Sequence, residues 1–415
     1  MTIYDISAPQ TLDADITLPA SKSISNRALV IHALSGGSTL PDNLSDCDDT
    51  RVVMAALKDM PSVIDVQAAG TAMRFMTAYL AVTPGEHTIT GTERMCHRPI
   101  GLLVNALRMM GADISYLGEE GFPPLHIRGH RLPGGKLEVP GNISSQFISA
   151  LLLVAPMMRE GLVLHLTGEI VSRPYIDLTL WVMQNYGADV EWTGADTIVV
   201  QPKPYADRPY LIENDWSAAS YWYEMAALYP EGSVRLSLNG LMNGSRQGDS
   251  VVRYIFSLLG VHTQFGEPHS SQPTVVSLSR HADHVDRLSY DFINCPDLAQ
   301  TVVCACCALD IPFTFTGLKS LRIKETDRLQ ALGNELLKLG YPLHIGEEGE
   351  LSWSGTKCEP SFEAIDTYDD HRMAMAFAPF AIKFPHLRIR NPQVVTKSYP
   401  GFWDDLRGAW FHIDQ

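Results

Sequence analysis

Six short segments place hydroxyl, amide, carboxylate and basic side chains where a helix begins. They are Lys22-Ser23 with Arg27, Gly70-Thr71 with Arg74, Ser144-Ser145-Gln146, Asp215-Trp216-Ser217, Asp297, and Asp370-His371-Arg372. A helix N-terminus offers unpaired N–H groups and the positive end of the helix dipole, which together receive anions. Several such ends with basic residues beside them imply a small, multiply anionic ligand rather than a polymer. Taken singly, Ser23, Thr71, Ser144 and Asp297 also read as helix caps, and Asp297-Leu-Ala-Gln300 has the form of a capping box. Arg27 shares a helix face with Ser23 and also reads as a solvated arginine. Lys22 and Arg372 fit a purely structural role poorly, because a basic group at a helix start opposes the dipole. The densest charge cluster is Arg322-Ile-Lys-Glu-Thr-Asp-Arg328. On a helix beginning there, Lys324 and Glu325 would face Arg328 at i,i+4 and i,i+3. Lys397 stands in a loop segment, Val-Val-Thr-Lys-Ser-Tyr-Pro, before the last helix, and alone reads as a surface lysine.

The elements that must position these residues recur. One series of amphipathic helices, each followed by a strand-like run, reads at 50–66, 101–116, 176–192, 249–265, 327–345 and 402–413. Four of its members approach Gly111, Gly187, Gly260 and Gly340, the residue type a left-handed helix C-cap prefers. A second series alternates with the first, starting near Ser21, Gly70, Ser144, Asp215, Asp297 and Asp370. Strand-like runs such as Leu162–Leu166 and Phe313–Phe315 lie between. The unit is two helices with three or four short strands, present six times, three to a domain. The first unit is short, with little between Met60 and Val66, and is expected to lack a strand pair. Pro and charge at 205–215 suggest a domain break.

Composition sets outer bounds. The chain has 415 residues, 45% hydrophobic and 19% charged, with a formal charge of −15. That suits a globular protein of two domains and disfavours non-specific nucleic-acid binding, which needs basic surface. The longest apolar runs, 150–158 and 373–382, are too short to span a bilayer and suit buried helices. The first ten residues have no character of a targeting signal. Seven cysteines, three of them at 304, 306 and 307, show no zinc spacing and read as buried thiols in a cytoplasmic protein.

Seven motifs in order resemble the enolpyruvyl transferases that act on shikimate 3-phosphate. They are Pro19-Ala-Ser-Lys-Ser-Ile-Ser-Asn-Arg27, Ala69-Gly-Thr-Ala-Met-Arg74, Arg98-Pro-Ile-Gly101, Ser144-Ser-Gln-Phe147, Ser172-Arg-Pro-Tyr175, Lys324-Glu-Thr-Asp-Arg328 and Asp370-His-Arg-Met-Ala-Met375. The resemblance runs from Leu18 to Trp403. It implies an α/β fold, a two-domain inside-out α/β barrel of six βαβαββ repeats closing over an interdomain cleft. Residues 1–19 with 213–415 would form one domain and 20–212 the other. It further implies transfer of the carboxyvinyl group of phosphoenolpyruvate to the 5-hydroxyl of shikimate 3-phosphate, without metal or organic cofactor. By the same resemblance Lys22 touches both ligands. Ser23, Arg27, Ser144, Ser145, Ser172, Asp297 and Lys324 would hold shikimate 3-phosphate. Gly70, Arg98, Gln146, Arg328, Arg372 and Lys397 would hold phosphoenolpyruvate. Asp297 would be the base on the hydroxyl, with Glu325 and Lys22 both candidates for protonating C3. A monomer in the cytoplasm, with neither membrane nor nucleic-acid partner, is the expected form.

The sequence also departs from the family pattern. Ala68 stands where Asn is usual two residues before Gly70, Ser320 where Asn is frequent before Lys324, and Trp216 where a small residue follows Asp215. The sister transferase acting on UDP-N-acetylglucosamine carries a Lys-Asn pair and a cysteine-bearing loop. Here Ser23 follows Lys22, and Cys96 precedes Arg98 without that loop. A non-catalytic metabolite-binding protein would not need Asp297 and Glu325, and an RNA-end enzyme would need basic surface.

Overall fold

The two helix series separate by burial. Helices Gly70–Val82, Ser145–Val154, Trp216–Leu228, Ala299–Ala308 and His371–Phe377 are buried on nearly every side, and Lys22–Ser35 through its middle. Their sequences carry little charge and many small apolar residues, so they have no solvent face to keep. Helices Asp48–Asp59, Gly101–Met109, Arg173–Asn185, Val252–Leu258, Arg328–Lys338 and Phe402–Gly408 each retain a polar side. The charged and hydroxyl residues of the buried series collect near its N-termini. The glycines at 111, 187, 260 and 340 all take positive φ just past the outer helices, and end them as a left-handed C-terminus does.

The computed structural model describes residues 2–267 and 272–415. The chain divides into one unit of Met1–Pro19 with Glu213–Gln415 and another of Ala20–Ile212, each with its own core. A full repeat runs strand, buried helix, parallel strand, outer helix, then an antiparallel pair. Its fourth strand inserts between the second and third. Thus Val63–Asp65 lies parallel to Gly85–Thr90, which pairs antiparallel with Leu125–Gly129, and that in turn with Asp113–Tyr116. The same order holds in three further four-stranded sheets among the described residues.

Two repeats in the larger unit borrow from the N-terminus. Leu12–Thr17 is the first strand beside Val234–Leu241. Ile3–Ser7 sits between Leu387–Arg390 and His412–Asp414 as the fourth strand of the last repeat. The repeat at the start of the other unit is truncated, as its sequence predicts. Among the described residues no strand pair separates Asp59 from Val63, and a single parallel bridge joins Asp42 to Leu211.

Four local expectations change. Asp297 lies inside a 3₁₀ turn, Pro296–Leu298, so the capping box with Gln300 does not form. The Gln300 amide is buried without a partner among the described residues, and the Asp297 carboxylate pairs with nearby cations. The helix in the charged cluster starts at Arg328, capped by Asp327 through the Leu329 and Gln330 N–H groups at 3.1 and 3.2 Å. Lys324 and Glu325 therefore precede it, outside helical spacing. Ser21 rather than Ser23 caps the first helix, and Thr71 follows a start at Ala69 that has no side-chain cap.

One buried group in the core bears on stability. Glu224, on the helix Trp216–Leu228, is 0% exposed, and neither carboxyl oxygen has a partner among the described residues. Burial holds its pKa well above the ordinary 4.5, because the charged form would be left without solvent or partner. Stability from this group is complete below pH 4.5 and is lost as pH rises toward the folded-state pKa. Glu224→Met is expected to gain about 1–3 kcal/mol at pH 7.5 by removing an unsatisfied polar group, with a smaller gain at pH 5. Urea unfolding at both pH values measures this; equal gains at the two would mean the carboxyl is not the cause.

Candidate active site

In the unit Ala20–Ile212, four helix starts carry the predicted residues. The helices Lys22–Ser35, Gly70–Val82, Ser145–Val154 and Arg173–Asn185 pack on one another, and none has an acidic residue in its first turn. Their dipoles are therefore free to receive an anion. Lys22 donates to Asp49 Oδ2 at 3.2 Å. Gln146 Nε2 donates to Thr71 Oγ1 at 3.2 Å, tying two of the starts together. Ser144 caps its own helix through the Gln146 N–H, and Ser145 beside it is half-buried. Ser172 takes a left-handed φ of 55° and its hydroxyl caps nothing. Non-glycine residues hold that conformation mainly where surrounding structure forces it, often at functional sites.

The arginines of this unit divide into buried and presented groups. Arg74 donates to the Gly70 and Pro99 carbonyls at 3.1 and 3.3 Å, so it fixes the loop bearing Arg98. Arg98 lies over the start of the Gly70 helix, and its Nε has no partner among the described residues. A Cβ on Gly70 would sit 2.6 Å from Arg98 Nη1, so only glycine lets the guanidinium lie there. Arg27 departs from its expected presentation. It is 3% exposed and donates to Thr179 Oγ1, Ser149 Oγ and the Ser23 and Tyr175 carbonyls, at 2.7 to 3.2 Å. Burial lowers its pKa to about 10, which leaves it protonated at neutral pH.

In the other unit, the predicted residues gather around Arg328, which is 1% exposed. Its Nε and Nη2 contact Asp370 at 2.7 and 3.3 Å, Nη1 contacts Asp297 at 3.0 Å, and Nη2 contacts Glu325 at 2.9 Å. One planar fork thus orients three carboxylates, which a lysine's point charge cannot do. Arg372 reaches Asp297 Oδ2 at 3.2 Å and the Asp297 carbonyl at 3.0 Å. Lys324 reaches Asp297 Oδ1 at 3.4 Å, and Lys397 reaches Glu325 Oε1 at 3.0 Å. Lys397 is buried rather than a surface lysine.

These charges set the proton affinities. Burial alone would raise the Asp297 pKa, but Arg372, Lys324 and Arg328 outweigh it and hold the carboxylate far below the usual range. Burial would likewise lower that of Arg328, and Asp370, Glu325 and Asp297 reverse it. The arrangement can bind a multiply charged anion and present carboxylates to its reacting carbons.

Two residues that sequence reasoning passed over complete the picture. Asp49 pairs with Lys22 from the first turn of the next helix. Asp370 was read only as part of a helix start, yet it is fully buried, aims Arg328 and accepts the Arg372 N–H at 2.9 Å. The acidic pair Asp48-Asp49 opening an amphipathic helix was the available signal for the first. An Asp directly before a His-Arg pair was the signal for the second.

A family model described as EPSP synthase (3-phosphoshikimate 1-carboxyvinyltransferase) matches residues 6–64 and 59–406. The chain is 56% identical over 411 residues to 3-phosphoshikimate 1-carboxyvinyltransferase of Bacteroides fragilis (strain YCH46), covering 99% of this chain and 98% of that one. It is 36% identical over 426 residues to the enzyme of the same name from Photobacterium damsela subsp. piscicida, covering 95% and 96%. Among solved structures, EPSP synthase from Acinetobacter baumannii matches with a TM-score of 0.80 at 20% identity over 100% of both chains. The enolpyruvyl transferase NikO from Streptomyces tendae matches at 0.73 and 13% identity over 99% and 98%. These two likenesses concern the fold alone; the family model and the sequence relatives go further. The chain belongs to the EPSP synthase (3-phosphoshikimate 1-carboxyvinyltransferase) family.

Proposed function

We propose that this chain transfers the carboxyvinyl group of phosphoenolpyruvate to the 5-hydroxyl of shikimate 3-phosphate, and that the residues gathered above perform it. The observation that carries this reading is the cluster around Arg328, where three carboxylates and four cations meet. Asp297 takes the hydroxyl proton as the oxygen bonds to C2 of the donor. Glu325 or Lys22 gives a proton to C3, forming a tetrahedral adduct. The bond from C2 to the phosphate oxygen then breaks, C3 returns its proton, and phosphate leaves.

Ser23, Ser144, Ser145, Ser172 and Lys324 hold shikimate 3-phosphate, with Arg27 acting from beneath by fixing two helix starts. Gly70, Arg98, Gln146, Arg372 and Lys397 hold the donor, Arg328 orients the carboxylates, and Lys22 serves both substrates. Arg372 pairs with Asp297, and Lys397 with Glu325. A donor phosphate and carboxylate compete for the same two cations, and Asp297 once released gains proton affinity. Donor binding thus turns on the base. We also propose a monomer working in the cytoplasm, in keeping with seven unpaired cysteines. Among the described residues no helix is long and apolar enough to cross a membrane.

Phosphate release measured with both substrates, and with each omitted, tests the reaction. Release only when both are present is the expected result, and release from phosphoenolpyruvate alone would overturn the assignment. A second measurement tests the donor site. Gly70→Ala suits the helix backbone but displaces Arg98, so the KM for phosphoenolpyruvate is expected to rise about tenfold, the effect of roughly 1.4 kcal/mol. The KM for shikimate 3-phosphate should not move; if both rise equally, Arg98 is not a donor ligand.

A further inference from the structure

The segment that delivers Asp370 to Arg328 is backbone-strained and held at a distance. Tyr368 and Asp369 both take φ of +54°. Two successive non-glycine residues in the left-handed region are uncommon, and an aromatic one is especially so. Side chains outside the turn hold it. Tyr368 Oη donates to Glu335 Oε1 at 2.7 Å, and Asn391 Nδ2 donates to Asp369 Oδ1 at 2.8 Å. The Asp366 N–H donates to Glu335 Oε2 at 2.9 Å.

Glu335 itself is 0% exposed and lies on the helix Arg328–Lys338, seven residues beyond Arg328. One helix therefore grips the segment at two points. Arg328 holds Asp370 at one end, and Glu335 holds Tyr368 at the other. Lys338 Nζ, 2.6 Å from Glu335 Oε2, supplies the countercharge that the buried carboxylate needs. Tyr368 is 37% exposed, so its packing matters less than its hydroxyl.

We propose that Glu335 and Tyr368 are positioning residues for the donor site: their bond keeps the strained turn in place, and the turn aims Asp370 at Arg328 and at the Arg372 N–H. The proposal rests on the reading that Arg328 and Arg372 serve phosphoenolpyruvate. Loss of the bond lets the turn relax, Asp370 withdraws, and both arginines lose their fixed orientation.

Two substitutions at one position separate this role from plain stabilisation. Tyr368→Phe removes the hydroxyl but keeps a side chain that resists positive φ. Tyr368→Gly removes the hydroxyl and the resistance together. If Tyr368 only stabilised the fold, both variants would lower Tm and neither would change the KM for phosphoenolpyruvate. Positioning predicts a change in that KM, larger in the Phe variant. The KM for phosphoenolpyruvate should rise about five- to tenfold in Tyr368→Phe, the scale of one lost hydrogen bond. It should rise less in Tyr368→Gly, with the KM for shikimate 3-phosphate unchanged in both. Hydrogen exchange at the Arg372 amide, read by mass spectrometry, should quicken more in the Phe variant than in the Gly variant.

A larger loss in Tyr368→Gly, an equal rise in both KM values, or Arg372 exchange unaltered in Tyr368→Phe would each overturn the proposal. If the unaltered protein releases no phosphate, the functional reading fails by itself. The order of Arg372 exchange in the two variants then still decides whether the clamp exists.

Discussion

Asp297→Asn is expected to lower kcat by about 100- to 10,000-fold, the range for losing a general base, while the KM for phosphoenolpyruvate holds or falls. The two effects have separate causes. Asparagine keeps the shape but cannot accept the hydroxyl proton. It also removes the negative charge that Arg372, Lys324 and Arg328 now share, leaving those cations freer for an anionic donor. A fall in kcat below tenfold would place the base elsewhere. The unaltered enzyme offers a companion measurement. Asp297 is held far below the usual carboxylate range in the free protein, so the acid limb of kcat/KM should lie below pH 3.8 or come from another group. Once the donor draws Arg372 away, the carboxylate's pKa rises, so the acid limb of kcat should lie at higher pH than that of kcat/KM. Coincident limbs would mean that donor binding leaves the base unchanged.

Arg328→Ala is expected to destabilise its unit by about 3–5 kcal/mol, the cost of leaving buried carboxylates without their cation, and to abolish turnover. Asp370 is the most exposed to this loss, being fully buried with Arg328 across two bonds. At roughly 2–4 °C per kcal/mol for a unit of this size, the fall in Tm should be about 6–20 °C. Calorimetry of the variant beside the unaltered protein reads this directly. Arg328→Lys should recover only part of the stability, since a single ammonium cannot orient three carboxylates. Full recovery would show that the charge, not the fork, is what matters.

Much of this was legible in the chain before any coordinates, for local reasons. Caps at Ser144, Asp215 and Asp370 accept backbone N–H groups as their positions predict, because capping is settled within three residues. The phased helix series was visible because burial imposes periodicity on each helix separately. What escaped was long-range pairing. The capping-box reading of Asp297 failed because Arg328 and Arg372, 31 and 75 residues away, compete for its carboxylate more strongly than a local amide. Lys22 finds Asp49 across 27 residues, and Glu335 finds Tyr368 across 33. Arg27 shows the same limit from the other side. Its helical phase was right, but phase cannot tell a guanidinium that faces a ligand from one folded onto Thr179 and Ser149.

The placement of the N-terminal strands sets an order in time. Ile3 pairs with Arg390, and Asp5 with Asp414. During synthesis at about 5–20 residues per second, Ile3–Ser7 leaves the ribosome roughly 20–80 s before the strand Leu387–Arg390 that it must meet. The segment Ala20–Ile212 has all its own strands by then and can close its sheets while the first nineteen residues wait. A waiting strand invites pairing with another nascent chain. Asp5 in the first strand, and Asp13 and Asp15 in Leu12–Thr17, put a charge into each of these strands. In the finished protein the two aspartates of the second strand are solvent-exposed. Earlier, on the nascent chain, they discourage the wrong partner until the right one has been made.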